Sequence, residues 1–409
     1  MNWVILAAIA LYFIATAVND GATGWHFDDS GSFNVRVSND DYSLRVRSEG
    51  DVDLPADGSG VTALSTGDSL DIRLTRNGVE RRVLFSSESG AIKQEFFVEG
   101  DEQPWGPEAD RFVAEVMPIV LRETAINADE RVAWLIANRG HAGLLDEIEL
   151  IQSDFAQRVY TVQYAETATI ADTDFARLMK AAGDHMGSDF DLRTTLSAVY
   201  DAQTPTGESF TALLAAGGTL GSDFDARTLL EHVGPRMPNA AEAATAYLEL
   251  ATTIGSDFDM RLALQPLVTQ PALADEVVAE AIDMAATELG SDFDLRTLLS
   301  EAAPRVGRSD VLARAYTRAT RGLGSDFDHR EALTALADGA DLSPAGWRLL
   351  LDSTQGIGSD FDAAALLMNV APKLPRDEEV LAAYRAALAT IDSDFDRQRA
   401  AAALETSSR

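Results

Sequence analysis

Cysteine is absent from this chain of 409 residues. Its absence excludes disulfides, thiol catalysis, zinc sites with cysteine ligands and a lipoprotein anchor, because each of them requires a thiol. The cellular compartment stays open on this ground alone.

Positive charge is also scarce. The chain has 66 acidic residues against 33 basic ones, only three of the basic residues are lysines (Lys93, Lys180 and Lys373), and the net charge is −33. A surface this acidic repels phosphate backbones and anionic lipid headgroups, so we expect no nucleic-acid partner. An acidic composition poor in lysine is typical both of saline habitats and of GC-rich genomes, and the sequence does not separate these causes.

The patterns of common catalytic and metal sites are missing as well. The chain contains no H-E-x-x-H, no G-x-S-x-G, no P-loop and no dinucleotide-binding glycine motif at a strand–helix junction. The five histidines, which share no close spacing, are His26, His141, His185, His232 and His329. We therefore expect a protein that is not an enzyme, with no catalytic residues, cofactor or metal. A carboxylate pair of the glycosidase type stays open, because it depends on geometry alone.

What the chain does contain is a repeat, G-S-D-F-D-x-R in its fullest form, at steps of 34 or 35 residues. The serines of its eight copies are Ser153, Ser188, Ser222, Ser256, Ser291, Ser325, Ser359 and Ser393. A period of this size is typical of stacked helix pairs, so residues 153–409 are predicted to form an α-solenoid and the fold to be mainly α. The W-x2-L-G-x2-Y signature of tetratricopeptide repeats is absent.

Each residue of the motif has a predicted role, which the copy at Ser291 illustrates. Ser291 is placed to cap a helix, and Asp294 to bond the amide of the cap in return. Asp292 lies four residues before Arg296, which predicts an ion pair within the motif. Phe293 and its counterparts are predicted to be buried between neighbouring repeats, because large apolar residues usually belong to the core. The alternative is a stripe of exposed rings that binds a ligand.

The amino-terminal segment 1–22 differs in character from the rest. Residues 3–18 are sixteen consecutive uncharged residues, about 24 Å long as a helix. This length falls between the core of a signal peptide and a transmembrane helix. We expect a retained inner-membrane anchor, with the carboxy-terminal part outside the cytoplasm. Cleavage after Ala17, which leaves a secreted or periplasmic protein, and a buried helix are the alternatives.

Residues 25–102 are predicted to form a small antiparallel β domain. Five stretches between Phe33 and Val98 alternate apolar with polar residues, and Asn77-Gly78 between the third and fourth is a strong hairpin signal. Residues 103–152 are predicted as a helical bridge that forms a degenerate first repeat.

Calcium binding is the metal hypothesis that the acidic turns suggest. Residues 51–58 partly match a calcium loop, but Pro55 replaces the third ligand and no glutamate stands at the twelfth position. A turn between strands is expected there instead.

The combination of a hydrophobic amino terminus, a strand-rich stretch and serial S-D-F-D-x-R helices resembles a group of uncharacterised bacterial envelope proteins with S-D-Y/F-D-x-R helical repeats. Gly78 to Arg82 (G-V-E-R-R) and Ala128 to Ala133 (A-D-E-R-V-A) add to this resemblance. Some members carry the repeats behind a membrane metallopeptidase domain of the antirepressor type. Its H-E-x-x-H is missing from this chain, so no catalytic residue carries over, and the resemblance implies only a place in the bacterial envelope.

These observations together predict a membrane-tethered, non-enzymatic envelope scaffold, whose solenoid surface binds a protein or a cell-envelope polymer. The alternatives are a structural, self-assembling envelope protein and a calcium-responsive adhesin or sensor.

Overall fold

The computed structural model of the protein describes residues 23–27, 32–88 and 90–407. The predicted hydrophobic segment 1–22 lies outside these ranges. Within them, no helix is both long and apolar enough to cross a membrane. The chain divides into two compact units, the first ending at Thr204 and the second beginning at Pro205.

Nine strands lie in the amino-terminal part of the first unit that the structure describes. They are β1 (Thr23–Phe27), β2 (Phe33–Ser38), β3 (Ser43–Glu49), β4 (Val52–Asp53), β5 (Ala63–Leu64), β6 (Ser69–Arg76), β7 (Val79–Glu88), β8 (Ala91–Val98) and β9 (Asp101–Gln103). Seven form one antiparallel sheet in the order β1-β2-β3-β6-β7-β8-β9, and β4 pairs with β5. The five strands predicted between Phe33 and Val98 are confirmed. The other four have two to five residues each, too few to show an alternating pattern.

The hairpin between β6 and β7 turns at the predicted residues. Asn77 has a φ of 53° and Gly78 a φ of 78°. Positive φ at both central residues is the type I′ geometry, whose twist matches that of the flanking strands. This turn fixes the register, so that Arg76 pairs with Val79 and Ile72 with Val83.

One face of the sheet is buried under a helix. Val35, Leu44 and Ile72 on adjacent strands are fully buried, as expected for alternating strands with one dry face. Helix α1 (Pro107–Thr124) covers this face. The ring of Phe112 lies 5.8 Å from that of Phe96 on β8, measured between centroids.

Four further helices complete the first unit. They are α2 (Ala128–Ile148), α3 (Asp154–Thr167), α4 (Asp172–His185) and α5 (Asp189–Gln203). Helix α2 is interrupted at Gly140, whose φ of 71° and ψ of 178° are not helical. Helix α3 packs against α5, and α2 against both α3 and α4.

The second unit consists of helices joined by short connections. They are α6 (Gly207–Gly217), α7 (Asp223–Val233), α8 (Ala241–Ala251), α9 (Asp257–Thr269), α10 (Asp275–Glu288), α11 (Asp292–Val306), α12 (Asp310–Thr320), α13 (Asp326–Gly339), α14 (Pro344–Thr354), α15 (Asp360–Val370), α16 (Glu378–Leu388) and α17 (Asp394–Ser407). Each helix packs against the helix two places further along the chain. The odd-numbered helices, which begin with the motif, therefore form one layer, and the even-numbered helices form another.

The predicted fold class is confirmed in its main features. The described residues are mainly helical, the helices pack in a repeating arrangement, and a small antiparallel sheet lies in the amino-terminal part.

Candidate binding surface on the repeat helices

The motif serines cap their helices as predicted. In each of the eight copies the serine Oγ accepts a hydrogen bond from the amide three residues later, at 3.2 or 3.3 Å. This contact satisfies one of the free amides of the first turn. The position of every helix in the motif layer is therefore set by a local signal in the sequence.

The first aspartate of the motif does not pair with its own arginine, so the prediction of an ion pair between Asp292 and Arg296 is wrong. Asp292 instead accepts hydrogen bonds from the amides of Gly324 and Ser325 in the next repeat, at 3.0 and 2.8 Å. Equivalent bonds in the second unit, from 2.8 to 3.3 Å, are made by Asp223, Asp257, Asp326 and Asp360. The first aspartate thus ties the turn of the following copy to its own helix.

The first copy, in the first unit, uses the same bond. Asp154 accepts from the amide of Ser188 at 2.8 Å, and burial raises the pKa of Asp154 although the amides oppose it. Before the first copy, Glu123 takes the equivalent place. It accepts from the amides of Gln152 and Ser153, both at 3.1 Å, and from the Tyr42 hydroxyl at 3.0 Å. Burial raises the pKa of Glu123 as well.

The second aspartate also has a partner different from the predicted one. Asp294 was expected to bond the amide of its own cap, but its carboxylate accepts from Nε of Arg261 in the preceding repeat, at 3.0 Å. The pair Arg296–Asp328 at 2.6 Å continues the pattern. The other pairs of this kind are Arg158–Asp191, Arg227–Asp259 and Arg330–Asp362, at 2.7 or 2.8 Å. Every polar group of the motif is thus engaged within the protein, mostly with an adjacent repeat.

The prediction that the motif phenylalanines are buried is wrong. In the second unit all six are exposed, by 54% to 69%, and they form what we call the phenylalanine row: Phe224, Phe258, Phe293, Phe327, Phe361 and Phe395. In the first unit Phe155 and Phe190 are half-buried. The alternative of an exposed aromatic stripe therefore describes the second unit.

The spacing of the buried residues explains why these rings are exposed. On α11 the buried face includes Leu295, Leu298 and Ala302. Phe293 precedes them by two, five and nine residues, which at 3.6 residues per turn places it on roughly the opposite side of the helix. The volume between repeats is occupied instead by leucines and by tyrosines such as Tyr316, whose hydroxyl donates to the Ala332 carbonyl at 2.8 Å. The helical period contained this signal, although the size and apolarity of phenylalanine suggested the opposite.

An arginine lies over most rings of the row. The distance from the guanidinium carbon to the ring centroid is 5.0 Å for Arg296 and Phe293. Other such pairs in the row, at 4.9 to 5.4 Å, are Arg227–Phe224, Arg261–Phe258, Arg330–Phe327 and Arg399–Phe395. The seventh copy has Ala364 where the arginine would stand, yet Phe361 is still 61% exposed.

The structure does not bring the side chains of His141, His185, His232 and His329, which it describes, into one common site. His329 is buried with its Nε2 atom 3.2 Å from the Ser353 hydroxyl, and burial lowers its pKa to about 4. The His141 Nδ1 atom lies 2.8 Å from the Tyr164 hydroxyl. His185 ends α4, His232 lies in α7, and His26 lies in β1. Among the side chains that the structure describes, no three histidines or carboxylates are grouped to hold a metal ion.

The acidic segment 51–58 has a structural role in the sheet. Val52 and Asp53 form β4, and Leu54 is fully buried in the core. Asp57 accepts a hydrogen bond from the amide of Ser59 at 2.8 Å, a local turn contact. These contacts are those of a turn between strands.

Comparison with known proteins adds no identity. No protein-family model matches the chain, and no curated protein matches it either.

Proposed function

We propose that the protein is a non-enzymatic binding scaffold, an α-solenoid whose phenylalanine row holds an extended, basic polypeptide segment of a partner protein. The observation that carries this proposal is the row itself, six phenylalanines exposed by 54% to 69% at one position of successive repeats. Exposed apolar patches on soluble proteins often mark an interaction site.

A purely structural explanation of the row is that each ring shields an ion pair. Arg296 and Asp328, for example, are only 22% and 17% exposed beside Phe293. The seventh copy separates the two explanations. Ala364 removes the cation, and with it the ion pair to be shielded, but Phe361 remains and is exposed. Binding explains a ring at that position, and shielding does not.

The spacing of the row favours a polyproline II conformation in the partner. Adjacent helices pack about 8–10 Å apart, and neighbouring motifs are bonded directly to each other, so successive rings recur at about that distance. A polyproline II helix presents the same face every three residues, about 9 Å. A β-strand repeats a face at about 6.6 Å and an α-helix turns every 5.4 Å, so neither keeps step with the rings. Docking of such segments on aromatic side chains is a common mode of peptide recognition.

Charge favours a cationic polypeptide over a glycan. Each full motif carries two aspartates and one arginine, and the chain has a net charge of −33, which attracts a basic segment. The serine hydroxyl accepts from the amide three residues later, and both carboxylates are already bonded. Few side-chain donors or acceptors remain for sugar hydroxyls, whereas a carboxylate that accepts one bond still attracts a cation.

The proposal is tested by peptide binding to the full-length chain in a non-ionic detergent. We expect a labelled peptide of six Pro-Leu-Arg triplets to bind, and a peptide of the same composition in shuffled order to bind at least tenfold more weakly. The combined variant Phe258→Ser, Phe293→Ser and Phe327→Ser should lose the preference. Val311→Ser, which alters an exposed apolar side chain outside the row (44% exposed), is the matched control. Equal binding of both peptides, or a preference that survives the triple variant, would refute this function.

The partner in the cell is then sought by crosslinking from a photoreactive residue next to Phe293, followed by mass spectrometry. A crosslinked protein supports the proposal if its adduct disappears in the triple variant and persists in Val311→Ser. If a glycan is crosslinked instead, and its adduct disappears in the triple variant and persists in Val311→Ser, the partner is a cell-envelope polymer and not a polypeptide.

The place of this scaffold in the cell is part of the proposal. The uncharged run at residues 3–18 and the resemblance to envelope proteins support an inner-membrane tether with the repeats outside the cytoplasm. Fractionation tests it, since the full chain should sediment with membranes and a variant lacking residues 1–22 should not. An equally soluble full chain would remove the tether from the proposal.

The two alternatives have less support. End-to-end self-assembly requires free amides at the start of the first copy, but Glu123 already accepts from Gln152 and Ser153. A calcium sensor requires six to eight oxygens in one place, whereas the aspartates of each motif are bonded to amides and arginines.

A further inference from the structure

A row of arginines crosses the open face of the sheet in the first unit. Arg36 on β2 pairs directly with Arg45 on β3, Arg45 with Arg73 on β6, and Arg73 with Arg82 on β7. Side chains opposite each other on adjacent strands lie about 5 Å apart at Cβ, so the four guanidinium groups fall within about 15 Å. This concentration of positive charge stands in a chain whose net charge is −33.

The charges of this row are only partly compensated. Asp71 binds both Arg73 and Arg82, at 3.2 and 2.8 Å. Neither Arg36 nor Arg45 has an ion-pair partner among the described residues. Arg36 is exposed and Arg45 is half-buried. Like charges placed directly opposite each other in a sheet are destabilising. The repulsion between Arg36 and Arg45 therefore destabilises the sheet, and no ion pair of either residue within the described fold offsets it.

The neighbouring row of the same face supplies hydroxyl groups. Ser38 pairs with Ser43, and Ser43 with Thr75. These three residues line one shallow cavity together with Arg36, Arg45 and Arg73, and Glu80 is the one carboxylate among the described residues of its wall. Three guanidinium groups and three hydroxyls offer more hydrogen-bond donors than the two oxygens of a carboxylate can use. A tetrahedral oxyanion, with up to four oxygens, fits this set better, and arginine binds phosphate in a bidentate manner.

We propose that this cavity on the open sheet face is a binding site for a phosphate group, with Arg36 and Arg45 as its principal ligands. Negative charges elsewhere in the chain do not prevent such binding, because those further than about 8 Å from the site are largely screened at physiological ionic strength. They do oppose a long polyanion, which would extend over acidic surface. The site therefore suits a single phosphate or diphosphate group, carried by a lipid head or by a soluble molecule.

The test is a calorimetric titration of the full-length chain in non-ionic detergent, with pyrophosphate as the probe. We expect saturable binding, weakened at least tenfold in the double variant Arg36→Gln and Arg45→Gln. Arg47→Gln is the matched control, because Arg47 lies on β3 two residues after Arg45 and already binds Glu49 at 2.8 Å. Its affinity should change less than twofold. Saturable binding that the double variant retains, or no binding by the parent chain, overturns the proposal.

Thermal unfolding distinguishes a binding site from a structural role. Without ligand, the double variant should melt at the same temperature as the parent or higher, because it loses a repulsion. Pyrophosphate should raise the melting temperature of the parent and of Arg47→Gln only. A double variant that melts lower than the parent and responds to pyrophosphate as the parent does would assign the arginines a structural role and refute the site.

Competition identifies the source of the phosphate group. Soluble dihexanoyl phosphatidylglycerol and dihexanoylglycerol, which has the same acyl chains but no phosphate, are added separately to the pyrophosphate titration. Displacement by phosphatidylglycerol alone supports the site with an anionic lipid headgroup as occupant, and no displacement by either lipid supports it with a soluble phosphate. Equal displacement by both lipids would mean that the face binds acyl chains or detergent, and would count against the site.

Discussion

The sharpest test of the repeat architecture is the replacement of one first aspartate, Asp292→Ala. The carboxylate of Asp292 accepts two hydrogen bonds from the following turn, from Gly324 at 3.0 Å and from Ser325 at 2.8 Å. Alanine removes both and leaves two amides at the start of α13 without a protein acceptor. The variant therefore removes one link between two repeats, while the Arg296–Asp328 pair between the same repeats and the helix that carries Asp292 stay intact.

The expected loss follows from the type of bond. A hydrogen bond to a charged group contributes about 1.5–3 kcal/mol, but Gly324 is exposed, so water replaces part of one bond. We expect Asp292→Ala to cost about 2–4 kcal/mol in the free energy of unfolding. Ser291→Ala should cost about 0.5–2 kcal/mol, the usual loss for an N-cap. Phe293→Ala should cost only about 1 kcal/mol, because its ring is 60% exposed.

The assay is urea denaturation combined with hydrogen exchange of the amides around residues 322–328. The midpoint should fall in the order Asp292→Ala, Ser291→Ala, Phe293→Ala, and exchange at the Ser325 turn should accelerate at least about tenfold in the first variant alone. Asp341→Ala is the control, since Asp341 is 81% exposed in its ion pair with Arg308 and such pairs contribute about 0–1 kcal/mol. An Asp292→Ala variant no less stable than Asp341→Ala, or a Phe293→Ala variant that is the least stable of all, would refute the assignment of the first aspartate and the exposure of the row.

Three further predictions concern a buried histidine, a buried glutamate and calcium. Burial lowers the pKa of His329 to about 4, so the unfolded chain binds more protons than the folded chain below about pH 6.5. The parent should therefore lose stability relative to His329→Gln as the pH falls from 7 to 5. Urea midpoints of the two proteins that move in parallel would contradict this. The pKa of Glu123 is raised by burial, so the sign is opposite, and the parent should gain stability relative to Glu123→Gln as the pH falls from neutral toward about 4.3, again read from urea midpoints. Calcium should produce no saturable heat in a calorimetric titration. This holds even for the seventh copy, because Asp360 binds the amide of Ser393 and Asp362 binds Arg330. A stoichiometric response that Asp360→Asn abolishes would restore the calcium-sensor alternative.

Much of the local structure could be predicted because its signals are local. The serine caps act three residues along the chain, the alternation of β2, β3, β6, β7 and β8 has a period of two, and the turn at Asn77-Gly78 requires only its own two residues. The repeat period likewise predicted helix pairs that pack in series.

The candidate surfaces were less predictable, because they depend on which residues meet across elements. The arginine row can be recognised only from the register of four strands, because the sequence of a single strand shows only the alternation of apolar and polar residues. The exposure of Phe293 could have been deduced from its position opposite Leu295, Leu298 and Ala302, but hydrophobicity was the more obvious signal.

The sequence by itself determined where the helices and the main strands begin, how often they recur and how acidic the surface is, since each of these depends on neighbours in the chain or on composition. Only the tertiary structure decided the partners of the motif. Asp292 and Arg296 are close enough in sequence for an i,i+4 pair, yet each bonds a group 32 or 33 residues away. Stacking of the repeats brings unsatisfied amides and the carboxylate of a neighbouring repeat to the helix ends. Partly buried bonds to these groups stabilise the fold more than an exposed ion pair within one helical turn would, because water competes less with them.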